Sequence, residues 1–98
     1  MCVPRIIRNL QNLILKLSNG EQRDKLEKQK QYLSDIVQQT VEANVGKRTT
    51  EYIQIIAEFE KANLAISKSI KDIKKIGGTI NEIANCITCC TNVLEKIK

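Results

Sequence analysis

The side chains with the greatest capacity for chemistry in this chain of 98 residues are four cysteines, Cys2, Cys86, Cys89 and Cys90. The last three are spaced so that, on a helix, their thiols lie within about a 100° arc. Four thiolates are a complete ligand set for a structural zinc ion. The chain lacks the paired, two-residue-spaced knuckles that are usual in such sites, so the cluster is only a weak candidate metal site.

Two other interpretations of the cysteines stay open. Free cysteines are commonly buried as small apolar residues, and this is the favoured interpretation here. A disulfide could instead join Cys2 to Cys89 or Cys90, or join two subunits. Cys89 faces furthest from the apolar seam of its helix, so it is the thiol that we expect to be reactive or lipidated.

Catalytic chemistry is not expected. The chain contains no histidine, which removes the commonest general base and the usual activator of a cysteine nucleophile. Gly77-Gly78 lacks the Lys-Ser/Thr pair and the preceding strand that a phosphate-binding loop requires. The sequence therefore predicts a protein that is not an enzyme and needs no cofactor.

The first half of the chain predicts two helices. Apolar residues at steps of three and four predict a helix over about residues 4–18, with Pro4 at its start. Ser18-Asn19-Gly20 is expected to end it, because Asn and Gly accept a left-handed backbone. A stretch rich in Glu, Lys and Gln predicts a second helix over about 21–45, which Gly46 ends.

The second half shows apolar positions that alternate in steps of three and four, a pattern typical of coiled coils. The predicted seam, through which we expect the chain to self-associate or to hold a partner helix, consists of Ile55, Phe59, Ile66, Ile73, Ile80, Ile83, Ile87 and Leu94. Unbroken periodicity favours one helix, whereas Gly77-Gly78 and the capping pair Thr79 and Glu82 favour two. We expect the break, with helices at about 50–76 and 79–97.

These elements predict one all-α domain over residues 1–98, an antiparallel helical hairpin or four-helix bundle with coiled-coil-like packing. In a hairpin that turns at residues 47–48, Gly20 and Gly77-Gly78 lie at one height, so the hairpin could fold over or exchange halves with a second chain. A homo-oligomer, with a dimer favoured, or a helical protein partner is expected.

The formal net charge of +5 comes from interspersed charges of both signs, and the stripe Lys61, Lys68 and Lys75 lacks aromatic or Arg neighbours. Nucleic-acid binding is therefore not expected. The first helix combines an aliphatic face with Arg5, Arg8 and Lys16, as an interfacial membrane helix does, so peripheral membrane contact is an alternative. No signal peptide or spanning segment is evident, and a cytoplasmic location is expected.

A hairpin of this length that turns at a central glycine resembles, in architecture, the small secreted WXG-type helical proteins. Asn44-Val45-Gly46 has no tryptophan, however, and no C-terminal export signal is visible, so no function is transferred. The predicted function is a scaffold or assembly module that mediates self-association or binds a partner helix. The alternatives are a membrane-active, interfacial or pore-forming module and a thiol- or metal-responsive protein.

Overall fold

The computed structural model describes residues 3–18, 20–42 and 49–97, which form a four-helix bundle. The helices are α1 (Val3–Leu15), α2 (Glu21–Glu42), α3 (Thr49–Lys71) and α4 (Ile76–Ile97), and a 3-10 turn at Ile73–Lys75 joins the last two. The predicted all-α fold with four helices is confirmed. The predicted turn around Val45 and Gly46 lies outside the described residues.

The end of α1 differs from the prediction. The helix ends at Leu15 rather than 18, and the N–H groups of Lys16 and Leu17 donate to the carbonyls of Leu13 and Ile14 in a tightened last turn. Gly20 does not adopt a left-handed backbone. Its carbonyl instead accepts from the N–H of Asp24 at 3.1 Å, so Gly20 caps the start of α2.

The break in the second half is present, but it lies at Asp72 rather than at Gly77-Gly78. Asp72 has an extended backbone (φ −141°, ψ 98°), and its carboxylate accepts from the N–H of Lys74 at 3.2 Å. Both glycines belong to the beginning of α4. Thr79 is therefore not a helix cap, because its hydroxyl donates to the carbonyl of Ala65 at 2.9 Å and pairs with the hydroxyl of Ser69.

Consecutive helices form two antiparallel hairpins. In the first, the Lys30 ammonium donates to the side chain of Gln11, and the Arg23 guanidinium donates to the carbonyl of Leu17. In the second, the contact of Thr79 with Ala65 joins α4 to α3 just above the 3-10 turn. Because residue numbers rise on one helix as they fall on the other, each pair runs antiparallel.

The two hairpins pack side by side, with α1 against α3 and α2 against α4. Ile6 lies beside Phe59, and the Asn9 amide donates to the Asn63 side chain at 2.7 Å, so α1 and α3 run parallel. One end of the bundle therefore contains the carboxyl ends of α1 and α3 together with the amino ends of α2 and α4. The molecule measures 40 × 19 × 19 Å.

This arrangement corrects the predicted hairpin register, in which α2 lies along α3. The Gln29 amide donates to the carbonyl of Ile80 at 2.9 Å, whereas that register places residue 29 beside residue 66. The joint at Asp72 allows α4 to fold back on α3, and the apolar stripes of both hairpins then meet in one interior. Hydrophobic packing is non-directional, so the periodicity of an aliphatic stripe does not specify which helix packs against it.

All four helices contribute to the core, and each fully buried Leu, Ile or Phe contributes roughly 1.5–3 kcal/mol relative to an exposed one. The largest side chains with almost no exposure are Ile6, Leu10, Leu13, Ile14, Leu26, Leu33, Ile55, Phe59, Ile66, Ile83 and Leu94. Within the described part of the chain, no helix has the length and apolarity to cross a membrane.

Candidate functional site

The cysteines of α4 divide into two buried thiols and one exposed thiol. Cys86 and Cys90 are 1% and 0% exposed, and Cys89 faces solvent. A hydrogen bond with the Cys90 side chain, together with burial, raises the pKa of Cys86. A thiol that stays protonated is a weak nucleophile, and Cys86 packs in the hydrophobic core.

The predicted zinc ligands do not form a described cluster. Cys86, Cys89 and Cys90 are all free thiols, and Cys2 lies outside the described residues. Across residues 3–18, 20–42 and 49–97, no group of three potential ligands has a geometry that could hold a metal ion. Cys89 is exposed whereas Cys86 and Cys90 are buried, so the three thiols of α4 do not share one environment.

The predicted seam lies mostly inside the single chain. Ile55, Phe59, Ile66, Ile83 and Leu94 are buried in the core, and Ile80 and Ile87 are partly buried against it. In the single chain, these side chains pack α3 and α4 against the rest of the bundle.

Ile73 departs from the predicted seam, since it is 43% exposed. It belongs to the 3-10 turn, whose geometry interrupts the helical phase that the seam requires. Ile76, at the start of α4, is buried instead, with 5% exposure.

The face of α3 opposite the core carries apolar residues that do not belong to the predicted seam. Ile53 and Leu64 are each 59% exposed, and exposed Ala57 and Glu60 lie between them. A separation of 11 residues is close to three helical turns, so the two large side chains lie on one line along α3. The signal was present in the sequence as two large aliphatic residues outside the seam. We call these four residues the outer face of α3.

The basic stripe of α3 divides into two parts. The Lys61 ammonium lies 3.7 Å from the half-buried Glu58 carboxylate, and such a pair at the surface contributes little to stability. Lys68 and Lys75 instead line a groove at the α3–α4 joint, together with Gly78, Thr79, Ala65 and Glu82.

The apolar face of α1, the candidate membrane-binding face, is buried. Ile6, Leu10, Leu13 and Ile14 are at most 1% exposed. Leu15, the last residue of α1, is the exception, with 65% exposure. Binding of the whole α1 face to lipid would therefore require the bundle to open.

Comparisons of the chain with protein-family models, with characterised proteins and with solved structures give no significant match. Among the described residues, large aliphatic side chains are exposed beside charged ones on the outer face of α3 and at the end of the bundle that carries Leu15 and Ile73.

Proposed function

We propose that this chain is a non-enzymatic assembly module that dimerises through the outer face of α3. The observation that carries the proposal is the pair Ile53 and Leu64, two large aliphatic side chains that are each 59% exposed on the side of α3 opposite the core. Exposure of both in water is unfavourable, at about 25 cal/mol for each Å² of apolar surface. A partner helix that covers this line removes that cost.

A second copy of the chain fits this line because the line is self-complementary. In an antiparallel pairing of two α3 helices about a two-fold axis, Ile53 of each chain faces Leu64 of the other. Ala57 faces Glu60, and the small Ala57 side chain allows the backbones to approach. A two-fold interface uses the same patch on both subunits, which this arrangement satisfies.

The flanking charges do not decide the pairing. Glu60 of one copy lies about one turn from both Glu60 and Lys61 of the other, a repulsive and an attractive contact that roughly offset each other. The contact is short, so we expect a dimer that dissociates on dilution rather than an obligate one.

A charge-complementation experiment tests the proposal. Ile53→Lys and Leu64→Glu are made as separate variants, and the mass of each is measured by analytical ultracentrifugation over a range of concentrations. Each variant alone is expected to dimerise at least tenfold more weakly than the native chain. An equimolar mixture should regain dimers, because the introduced lysine then faces the introduced glutamate across one half of the interface. Across the other half, the native Leu64 faces the native Ile53.

Tyr32→Lys is the matched control, since Tyr32 is 58% exposed on α2 and lies outside the patch. It should dimerise as the native chain does. A native chain that stays monomeric at high concentration contradicts the proposal. So does a mixture that remains monomeric while circular dichroism shows that both variants are folded.

The proposal includes a cytoplasmic location and reduced cysteines. Its support is that Cys86, Cys89 and Cys90 are free thiols, of which two are packing residues in the core. In a reducing compartment such thiols persist without pairing. The protein is isolated under acid quench, which prevents thiol oxidation, and is then unfolded for thiol titration. The titration should detect four free cysteines for each chain, and a lower number would contradict this part of the proposal.

A further inference from the structure

The fold brings together two basic segments that are distant in sequence. Residues 15–25 contain the turn between α1 and α2, and residues 68–78 contain the joint between α3 and α4. Both lie at one end of the bundle, because α1 runs parallel to α3, as the contact of Asn9 with Asn63 shows. We call this region the joint end.

The joint end carries a surplus of positive charge. Its two segments contain seven Lys or Arg residues and three acids. The basic residues are Lys16, Arg23, Lys25, Lys68, Lys71, Lys74 and Lys75, and the acids are Glu21, Asp24 and Asp72. Their separation in sequence, 43 positions between Lys25 and Lys68, is why neither segment alone indicates the patch.

Most of these cations are not neutralised by the protein. Lys25 pairs with Glu21 and Arg23 with Glu27, whereas the remaining lysines form no ion pair with any described residue. Those lysines are Lys16, Lys68, Lys71, Lys74 and Lys75, and all five are exposed. The Asp72 carboxylate, the acid nearest in sequence to the four lysines between residues 68 and 75, accepts from the backbone N–H of Lys74. Glu82 lines the groove that also contains Lys68 and Lys75.

Two large aliphatic side chains lie among the same lysines. Leu15 is 65% exposed next to Lys16, and Ile73 is 43% exposed next to Lys74. Aliphatic side chains within a cluster of lysines match the two layers of a lipid surface. The ammonium groups meet anionic headgroups, and the aliphatic groups enter the boundary with the acyl chains.

We propose that the joint end docks the folded bundle onto the surface of an anionic lipid bilayer. No helix has to leave the bundle, which distinguishes this mode from insertion of α1. A nucleic acid is a poorer fit to the same charges, because the joint end has no aromatic side chain for stacking and its one arginine, Arg23, is paired with Glu27.

Cosedimentation with vesicles tests this inference. The native chain should bind phosphatidylcholine vesicles that contain about 30% phosphatidylserine and should not bind vesicles of phosphatidylcholine alone. Lys74→Gln/Lys75→Gln should weaken binding at least tenfold, because each lysine near an anionic surface contributes a factor of about five. Leu15→Gln/Ile73→Gln should weaken it severalfold with no change in charge.

Lys28→Gln/Lys96→Gln is the matched control, since it removes the same charge from exposed positions outside the joint end. Equal losses in this control and in Lys74→Gln/Lys75→Gln would overturn the inference. It would also be overturned by equal binding to both kinds of vesicle, by no binding to either, or by a DNA duplex that displaces the native chain from the vesicles at equal phosphate concentration.

The inference and the proposed dimer fail independently. Ile53→Lys alters only the outer face of α3, so it should bind vesicles through an intact joint end in a monomeric state. Lys74→Gln/Lys75→Gln should form dimers as the native chain does. Vesicle binding that falls in Ile53→Lys as much as in Lys74→Gln/Lys75→Gln would contradict a separate lipid-binding surface at the joint end.

Discussion

The two turns at the joint end connect helices in different ways. The turn between α1 and α2 is exposed at Ser18 and Gly20 and is formed largely by backbone hydrogen bonds between near neighbours. The joint between α3 and α4 adds a buried side-chain contact, in which the hydroxyls of Ser69 and Thr79 pair between the helices. The first turn is therefore determined locally, and the second depends on tertiary packing.

This difference explains where the second break lies. Thr79 and Ser69 are 2% and 0% exposed, so both hydroxyls need partners inside the protein. The Thr79 hydroxyl donates to Ala65, which leaves its oxygen to accept from Ser69. Because Asp72 provides the cap, Thr79 lies inside α4, where its hydroxyl and that of Ser69 both have hydrogen-bond partners. A break at Gly77-Gly78 would place Thr79 at a helix start.

The largest expected effect comes from the hydroxyl pair. Thr79→Val keeps the shape of the side chain but leaves the buried Ser69 hydroxyl without its partner, so the free energy of unfolding should fall by about 1–3 kcal/mol. Ser18→Ala, in the exposed turn, should change it by less than about 0.5 kcal/mol. Urea denaturation followed by circular dichroism measures both.

A double-mutant cycle separates pairing from the loss of a single group. Contacting residues are coupled, so the effects of the two single changes should not add. The loss of unfolding free energy in Ser69→Ala/Thr79→Val should be smaller than the sum of the two single losses by at least about 0.5 kcal/mol. Equal losses for Thr79→Val and Ser18→Ala, or strict additivity in the cycle, would show that the joint does not depend on this pair.

Asp72 provides the next largest effect. Asp72→Ala removes the carboxylate that accepts from the N–H of Lys74, and loss of such a cap costs about 1 kcal/mol. Asp72→Asn retains an acceptor oxygen and should cost less than half as much. The same denaturation measurement decides, and an Asn variant that is as unstable as the Ala variant would mean that charge, rather than capping, accounts for the effect of Asp72.

The sequence was sufficient to predict features that depend on local periodicity. Steps of three and four, helix-forming composition and turn signals together identified four helices. The steps also placed Ile55, Phe59, Ile66, Ile83 and Leu94 on one apolar face, and all five are buried in the core. The sequence did not identify the packing of α2 against α4, since aliphatic stripes pair without direction. The capping role of Asp72 was missed because two glycines gave the stronger local signal.

The outer face of α3 and the joint end also differ in whether they depend on local sequence or on tertiary packing. Ile53 and Leu64 belong to one helix, so their shared line could be found from a spacing of three turns, once the opposite face was known to form the core. The joint end could not be found in that way. Leu15 and Ile73 are 58 positions apart, and only the parallel packing of α1 and α3 brings them to one end of the bundle.

The smallest expected effects concern the glycines, and here the two turns should respond with opposite signs. A Cβ atom at Gly77 meets no atom within 4 Å, so Gly77→Ala should stabilise α4 by about 0.5–1 kcal/mol through its better helix propensity. Gly20 caps α2, where alanine is a poor residue, so Gly20→Ala should destabilise by a few tenths of a kcal/mol.

Urea denaturation measures both glycine substitutions: when the m value is unchanged, a shift of the midpoint reports the change in the free energy of unfolding. Gly78→Ala is the companion variant for Gly77→Ala, because a Cβ atom at Gly78 also meets nothing within 4 Å. If both alanines in α4 were destabilising, those glycines would serve a conformation in which α4 begins later, as the sequence pattern first indicated. Stabilisation by both would mean that the break at Asp72 needs no flexible residue, because Asp72 and the buried hydroxyl pair already determine where α4 begins.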